Sequence, residues 1–151
     1  RPGYFMENLL WNQGLIATQG INGTPARGDL ALPMIATRDI AAEATERLLQ
    51  RDFRGKSTKE LLGQRNLTMM EATAIIGKAV GKPALPYVQF PYDAAEQAML
   101  GLGMSADVAN TFIELYHALN DGLLNPTEAR TRANTTATSF EEFSAVFGAR
   151  D

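Results

Sequence analysis

His117 is the only histidine in the chain, and its ordinary pKa lies near neutrality, as a general base requires. No Gly-x-Ser-x-Gly occurs and no serine or aspartate stands in a triad signature, so a surface or pocket-rim histidine is preferred over a catalytic one. The chain has no cysteine, which removes disulfides, thiolate catalysis and cysteine-held metals together. With one histidine, a zinc or iron site would need mostly carboxylate ligands, a set those metals rarely take structurally. Gly55-Lys56-Ser57 resembles the end of a phosphate-binding loop. However, Gln50 stands where the earlier glycine belongs, and a turn with a solvated lysine suffices. Gly101-Leu102-Gly103 lacks a third glycine and a preceding strand and reads as a helix break. Glu141-Glu142 is an acidic pair at a helix start, which the macrodipole favours.

The elements that would position a site follow from punctuation and periodicity. Arg1-Pro2-Gly3 reads as the frayed end of a strand, and the pattern from Tyr4 to Gln19 as a helix with Phe5, Leu9 and Leu10 on one face and Trp11 beside it. A strand that turns sharply into a helix is where an open α/β sheet holds its ligand, which makes this opening the working site. Gly20 and Asn22-Gly23 are turn signals, residues 23–32 a loop, and Pro33-Met34-Ile35-Ala36 a brief strand. Thr37 or Asp39 then caps a helix to about Arg51, with Ile40, Ala44, Leu48 and Leu49 as its core stripe. Residues 56–62 read as another strand.

Thr68-Met69-Met70-Glu71 has the spacing of a capping box, opening a helix with Met69, Ala72, Ile76 and Val80 on one side. Tyr87-Val88-Gln89-Phe90 alternates as an edge strand between prolines. Helices follow at about 92–102 and 106–121, the second with Val108, Phe112, Leu115, Tyr116 and Leu119 at helical spacing. Asn125-Pro126-Thr127-Glu128 predicts a short helix, and Ser139-Phe140-Glu141-Glu142 a last one bearing Phe140, Phe143 and Phe147. The Thr-rich segment 131–138 between them is loop.

At 151 residues the chain suffices for one domain with a real core. A net charge of −3 gives no basic footprint, so no direct nucleic-acid ligand is expected. No apolar run approaches a membrane span and no charged-then-apolar leader opens the chain, so the expectation is a cytoplasmic protein without a membrane partner. Because the chain starts at Arg1 in what reads as a strand end, it is expected to be a piece of a longer protein.

Together with Gly28-Asp29, Pro33 to Ala41, Glu60-Leu61-Leu62-Gly63 and Thr68 to Ala72, the run Arg1 to Trp11 resembles, in order, the C-terminal half of NmrA-like proteins. These are atypical short-chain dehydrogenases/reductases that bind NAD(P). The resemblance implies an α/β fold, the C-terminal portion of a Rossmann-like NAD(P)-binding domain with short strands alternating with helices over residues 1–90. A mostly helical substrate lobe over 91–151 would be packed with it as one unit. It also implies that Pro2, Gly3, Tyr4, Phe5, Met6 and Asn8 pass the nicotinamide end of NADP or NAD. Gly3 would admit the backbone, Tyr4 and Phe5 offer flat faces, and Asn8 give a donor and an acceptor. Trp11, Met99, Phe112 and Tyr116, with Met104, would line the substrate pocket; core packing is the competing account of the aromatics. Arg38 and Asp39 would form a cap or ion pair, or else shape the pocket rim.

Reductases of this superfamily pair a catalytic tyrosine with a lysine four residues on. Here Asn8, Pro91, Glu96 and Asn120 follow Tyr4, Tyr87, Tyr92 and Tyr116 at that spacing, so the pair is missing. The dinucleotide fingerprint is missing too, and this chain alone is expected to bind the cofactor weakly or not at all. Three functions follow: an NAD(P)H-dependent oxidoreductase of a small carbonyl or quinone compound, a non-catalytic NAD(P)-binding redox sensor, or a cofactor-free interaction fragment. The face of Phe5, Leu9, Ile35 and Ile40 is expected to lie exposed, favouring self-association or a retained N-terminal piece.

Overall fold

The computed structural model describes residues 1–148; the last three residues of the predicted 91–151 lobe lie outside them. It is an α/β arrangement in which strands and helices alternate up to residue 89 and helices prevail thereafter. Strand β1 (Tyr4–Phe5) runs parallel to β3 (Ala31–Ile35), with Tyr4 opposite Met34 and Phe5 opposite Ile35. On its other side β3 pairs antiparallel with β4 (Asn66–Thr68). A separate parallel pair joins β2 (Asn22–Thr24) to β5 (Tyr87–Gln89).

Two expectations at the start of the chain are corrected. Tyr4 and Phe5 are strand rather than helix because tertiary pairing with β3 overrides their local pattern. Behind them Met6–Asn12 is a 3-10 helix, and only Gln13–Gln19 (α1) is α-helical, closed by Gly20 in the left-handed region at φ 67°. Asn22-Gly23, predicted as a turn, is strand. Gly23 is needed because a Cβ there would lie 2.5 Å from the Val88 carbonyl oxygen and 2.7 Å from the Phe90 ring.

The strand predicted over 56–62 reduces to one bridge between Pro2 and Leu61, where the Gly3 amide donates to the Leu61 carbonyl at 2.8 Å. Helix α3 (Met69–Ala79) has the full capping box: the Glu71 amide donates to the Thr68 hydroxyl, and the Thr68 amide to the Glu71 carboxylate. Its Met69, Ala72 and Ile76 are buried among Met6, Leu9, Leu32 and Met34. Helices α4 (Tyr92–Gly101), α5 (Ala106–Asn120) and α6 (Phe140–Gly148) follow. Leu119 and Phe140 enter the same core as the first ninety residues. Each such large apolar side chain contributes about 1.5–3 kcal/mol on burial.

Helix α2 (Thr37–Gln50) departs furthest from its expected packing. None of its residues is buried, and Leu48 and Leu49 are 66% and 77% exposed, so the predicted core stripe is absent. Its amino end is capped neither by Thr37 nor by Asp39. Instead, the Glu7 carboxylate accepts from the Thr37 amide at 2.9 Å and from its hydroxyl at 2.7 Å. Asp39 accepts from the amide and hydroxyl of Thr138, and Arg38 donates to the Thr138 hydroxyl and to Glu142. The pair therefore ties α2 to the start of α6. Of the face expected to be exposed, Leu9 and Ile35 are buried completely, Leu9 in the core that also holds Met34 of β3 and Met69 and Ile76 of α3.

No helix forms at 125–128. The Thr127 and Glu128 amides that would have begun it donate instead to the buried carboxylate of Glu60, at 3.1 and 2.9 Å. These bonds to the charged form hold the Glu60 pKa below the usual carboxylate range.

Candidate functional site

Two adjoining cavities border the β1 strand and the 3-10 helix behind it, here called outer and inner. The outer one, about 430 Å³, is bordered by Gly3, Tyr4, Phe5 and Asn8, by Glu60, and by the segment Leu123 to Pro126. The inner one, about 260 Å³, lies between the 3-10 helix, β2 and the α4–α5 pair. Tyr4, Asn8, Leu115 and Leu119 border both, so the cavities share one wall.

The residues predicted from the sequence fall as follows. Trp11, Met99, Phe112 and Tyr116 all border the inner cavity, with Met104. Trp11 sits at its edge, 75% exposed. Pro2, Gly3 and Phe5 border the outer cavity, and Tyr4 and Asn8 border both. Met6 borders neither; it is buried in the core beneath β1. Arg38 and Asp39 also border neither, which leaves them their structural tie to Thr138 and Glu142. His117 is stacked on Tyr92 with ring centroids 3.8 Å apart and borders neither cavity.

Local chemistry holds this arrangement. The Asn12 side-chain amide donates to the Asn22 side-chain oxygen at 2.8 Å and to the Gly23 carbonyl at 3.0 Å. Buried Asn22 passes the chain on to the Thr73 hydroxyl at 2.8 Å, and Thr73 donates to the Met69 carbonyl. The 3-10 helix, β2 and α3 are thereby joined through a run of side-chain hydrogen bonds. On the opposite side Asn120 donates to the Tyr92 hydroxyl at 2.6 Å and to the Pro25 carbonyl at 3.0 Å, fixing α5 against the end of β2.

Three phenols lie near one another: Tyr4 in the shared wall, Tyr116 on the inner cavity, and Tyr87, which borders neither. Burial pushes the Tyr4 pKa well above its ordinary value, reinforced by the neighbouring Tyr116 and Tyr87 phenols and opposed by Asn8. Burial likewise raises Tyr116, and lifts Tyr87 to about 12. The Tyr87 hydroxyl is spoken for by the Ala26 carbonyl at 2.6 Å. At neutral pH these phenols keep their protons, so the wall presents hydrogen-bond donors and no base.

Sequence reasoning missed Asn12, Gly23, Thr24 and Phe90 as inner-cavity residues. Gly23 had been read as a turn residue and Phe90 as the end of an edge strand. The parallel β2–β5 pairing that brings them together leaves no local signal.

No family model matches this sequence. It is 34% identical over 116 residues to an NAD(P)H azoreductase of Xenophilus azovorans, covering 77% of this chain and 40% of that protein. It is 32% identical over 124 residues to an uncharacterized oxidoreductase, YesF, of Bacillus subtilis (strain 168), covering 81% of this chain and 42% of that protein. The chain thus spans about two fifths of the length of these curated relatives. The sequence stands in a distant relationship to NAD(P)H-dependent oxidoreductases.

Proposed function

We propose that this chain is the substrate-side part of an NmrA-like, NAD(P)H-dependent oxidoreductase that reduces a small carbonyl or quinone compound. The observation that carries the reading is the shared wall. Tyr4 and Asn8, assigned by resemblance to the nicotinamide end of the cofactor, also border the inner cavity lined by Trp11, Met99, Phe112 and Tyr116. Hydride transfer needs direct contact of about 3–3.5 Å, so in this reading the donor ring and the acceptor would touch beside Tyr4 and Asn8, where the two cavities adjoin.

The residues present fit one end of such a cofactor. Gly3 is required by the close approach of β3, since a Cβ there would fall 2.2 Å from the Pro33 carbonyl oxygen. Phe5 and Tyr4 offer ring faces and Asn8 is exposed. Nothing in this wall resembles a phosphate cradle, so in this reading the diphosphate is gripped by chain upstream of residue 1. The bound cofactor supplies the hydride. This chain's own contribution is to orient the acceptor on the aromatic faces, to exclude water with Leu115 and Leu119, and to hold a proton at the Tyr4 and Tyr116 hydroxyls.

Division of the chain near residue 90 and a cytoplasmic setting belong to the same proposal. Self-association, or retention of an N-terminal piece, is proposed with it, placed now on exposed Leu48, Leu49 and Phe53 rather than on the covered Leu9 and Ile35.

The test is NADPH fluorescence titrated against residues 1–151 and against a version extended upstream to the relatives' length. NADPH oxidation by the longer protein is then followed with a panel of quinones and aldehydes. The short chain is expected to bind NADPH poorly, and the long one to bind it and reduce at least one acceptor. Tight binding by the short chain would overturn the division of labour. Binding without oxidation of any acceptor would favour the sensor, a reading supported by the missing Tyr–Lys pair and the raised phenol pKa values at the wall.

A further inference from the structure

The inner cavity has an electrostatic character that neither the resemblance nor the relatives specify. Of the residues that border it, none is Asp, Glu, Lys, Arg or His; its polar side-chain groups are the amides of Asn8 and Asn12, the hydroxyls of Thr24, Tyr4 and Tyr116, and the indole N–H of Trp11. The region supplying α4 and α5 is one-sided in charge. From Pro83 to Ala129 the chain carries Asp93, Glu96, Asp107, Glu114, Asp121 and Glu128, and not one Lys or Arg. Arg27, two residues from Pro25 of the cavity wall, is already held by the Asp29 carboxylate through bonds of 3.1 and 2.7 Å.

From this we infer that the inner cavity selects uncharged aromatic acceptors and rejects anionic ones, with the Tyr116 hydroxyl donating to the acceptor atom. The inference rests on the acceptor-site reading above and adds to it the charge class of the ligand. A sulfonate or carboxylate carried into this cavity would lose its water and find no cation, the costliest way to bury a charge. The acidic helices around it would add repulsion, weakened by salt. A neutral carbonyl or quinone oxygen meets instead a phenol that keeps its proton, and an apolar ring meets Phe90, Phe112 and Met99. At about 260 Å³ the cavity falls just under the roughly 300–1,000 Å³ of sites for drug-sized molecules, which suits one or two fused rings.

The experiment is direct binding of 1,4-naphthoquinone and 1,4-naphthoquinone-2-sulfonate to the 151-residue chain, by calorimetry and by quenching of Trp11. Trp11 is the single tryptophan and stands at the cavity edge. The chain has no cysteine, so no thiol adduct confuses the titration. The neutral quinone is expected to bind at least tenfold tighter than the sulfonate. Ala98→Lys, on an exposed position of α4 that borders the cavity, is expected to reduce that preference at least tenfold or reverse it, which separates charge from size. Equal or tighter binding of the sulfonate by the unaltered chain would overturn the inference and leave the acceptor-site reading standing. An Ala98→Lys chain with unchanged preference would overturn it as well. Binding of neither quinone would also overturn it, while the oxidation assay on the longer protein judges the oxidoreductase proposal separately.

Discussion

Two glycines carry more of the structure than their size suggests. A Cβ at Gly23 would strike both the Val88 carbonyl and the Phe90 ring, so Gly23→Ala should force β2 from β5 and deform the inner cavity, at a cost of roughly 1–3 kcal/mol. Gly63 combines φ of 66° with a Cβ position 1.8 Å from the Met34 carbonyl oxygen, so Gly63→Ala should cost more than Gly23→Ala in urea unfolding. The phenols give a pH signature. Above pH 10 the unfolded chain sheds phenolic protons that Tyr4, Tyr87 and Tyr116 keep in the native state. Stability should therefore be intact below pH 10 and decline as pH climbs toward 12, tracked by phenolate absorbance beside circular dichroism. At this scale the sequence was readable where a residue's role is local. The aromatic and methionine residues near the inner cavity could be named from resemblance. The burial of Met6 and the partnering of Arg38 and Asp39 with Thr138 depend on contacts up to a hundred positions away.

Helices with their own caps were legible from their residues, because a capping box or a serine followed by an apolar stripe is a short-range device. Helices α3, α5 and α6 start where Thr68, Ser105 and Ser139 accept from amides three residues on. Thr68→Ala should cost about 0.5–2 kcal/mol, measured by thermal or urea unfolding. Helix α2 shows the converse. Its extent is close to the one predicted, yet its cap is a glutamate thirty residues upstream and its apolar residues face solvent. Without buried side chains, α2 depends on that carboxylate and on the Asp39–Thr138 tie. Glu7→Ala should speed amide exchange along α2 while leaving α3 protected. The helix predicted at Asn125 failed for a related reason: a distant carboxylate, Glu60, captured the amides that a helix start would have offered to its own cap.

Over the whole molecule, the α/β character and the helical C-terminal region were legible, whereas the division of the strands into two small sheets was not. Parallel pairing of segments as far apart as Asn22 and Tyr87 is written in no local pattern. The apolar surface of Leu48, Leu49 and Phe53 leads to an expectation of concentration-dependent association. Light scattering should show species heavier than 16.4 kDa, and replacing Leu48 and Leu49 with serine should reduce them. Asn22 has a further consequence. Because this one amide both receives from Asn12 and gives to Thr73, opening either contact strands a polar group in a dry interior. The cavity-lining 3-10 segment and the central helix α3 are thus bound into a single cooperative unit. In heavy water their slowest amides should open together, and Asn22→Leu should release both at once.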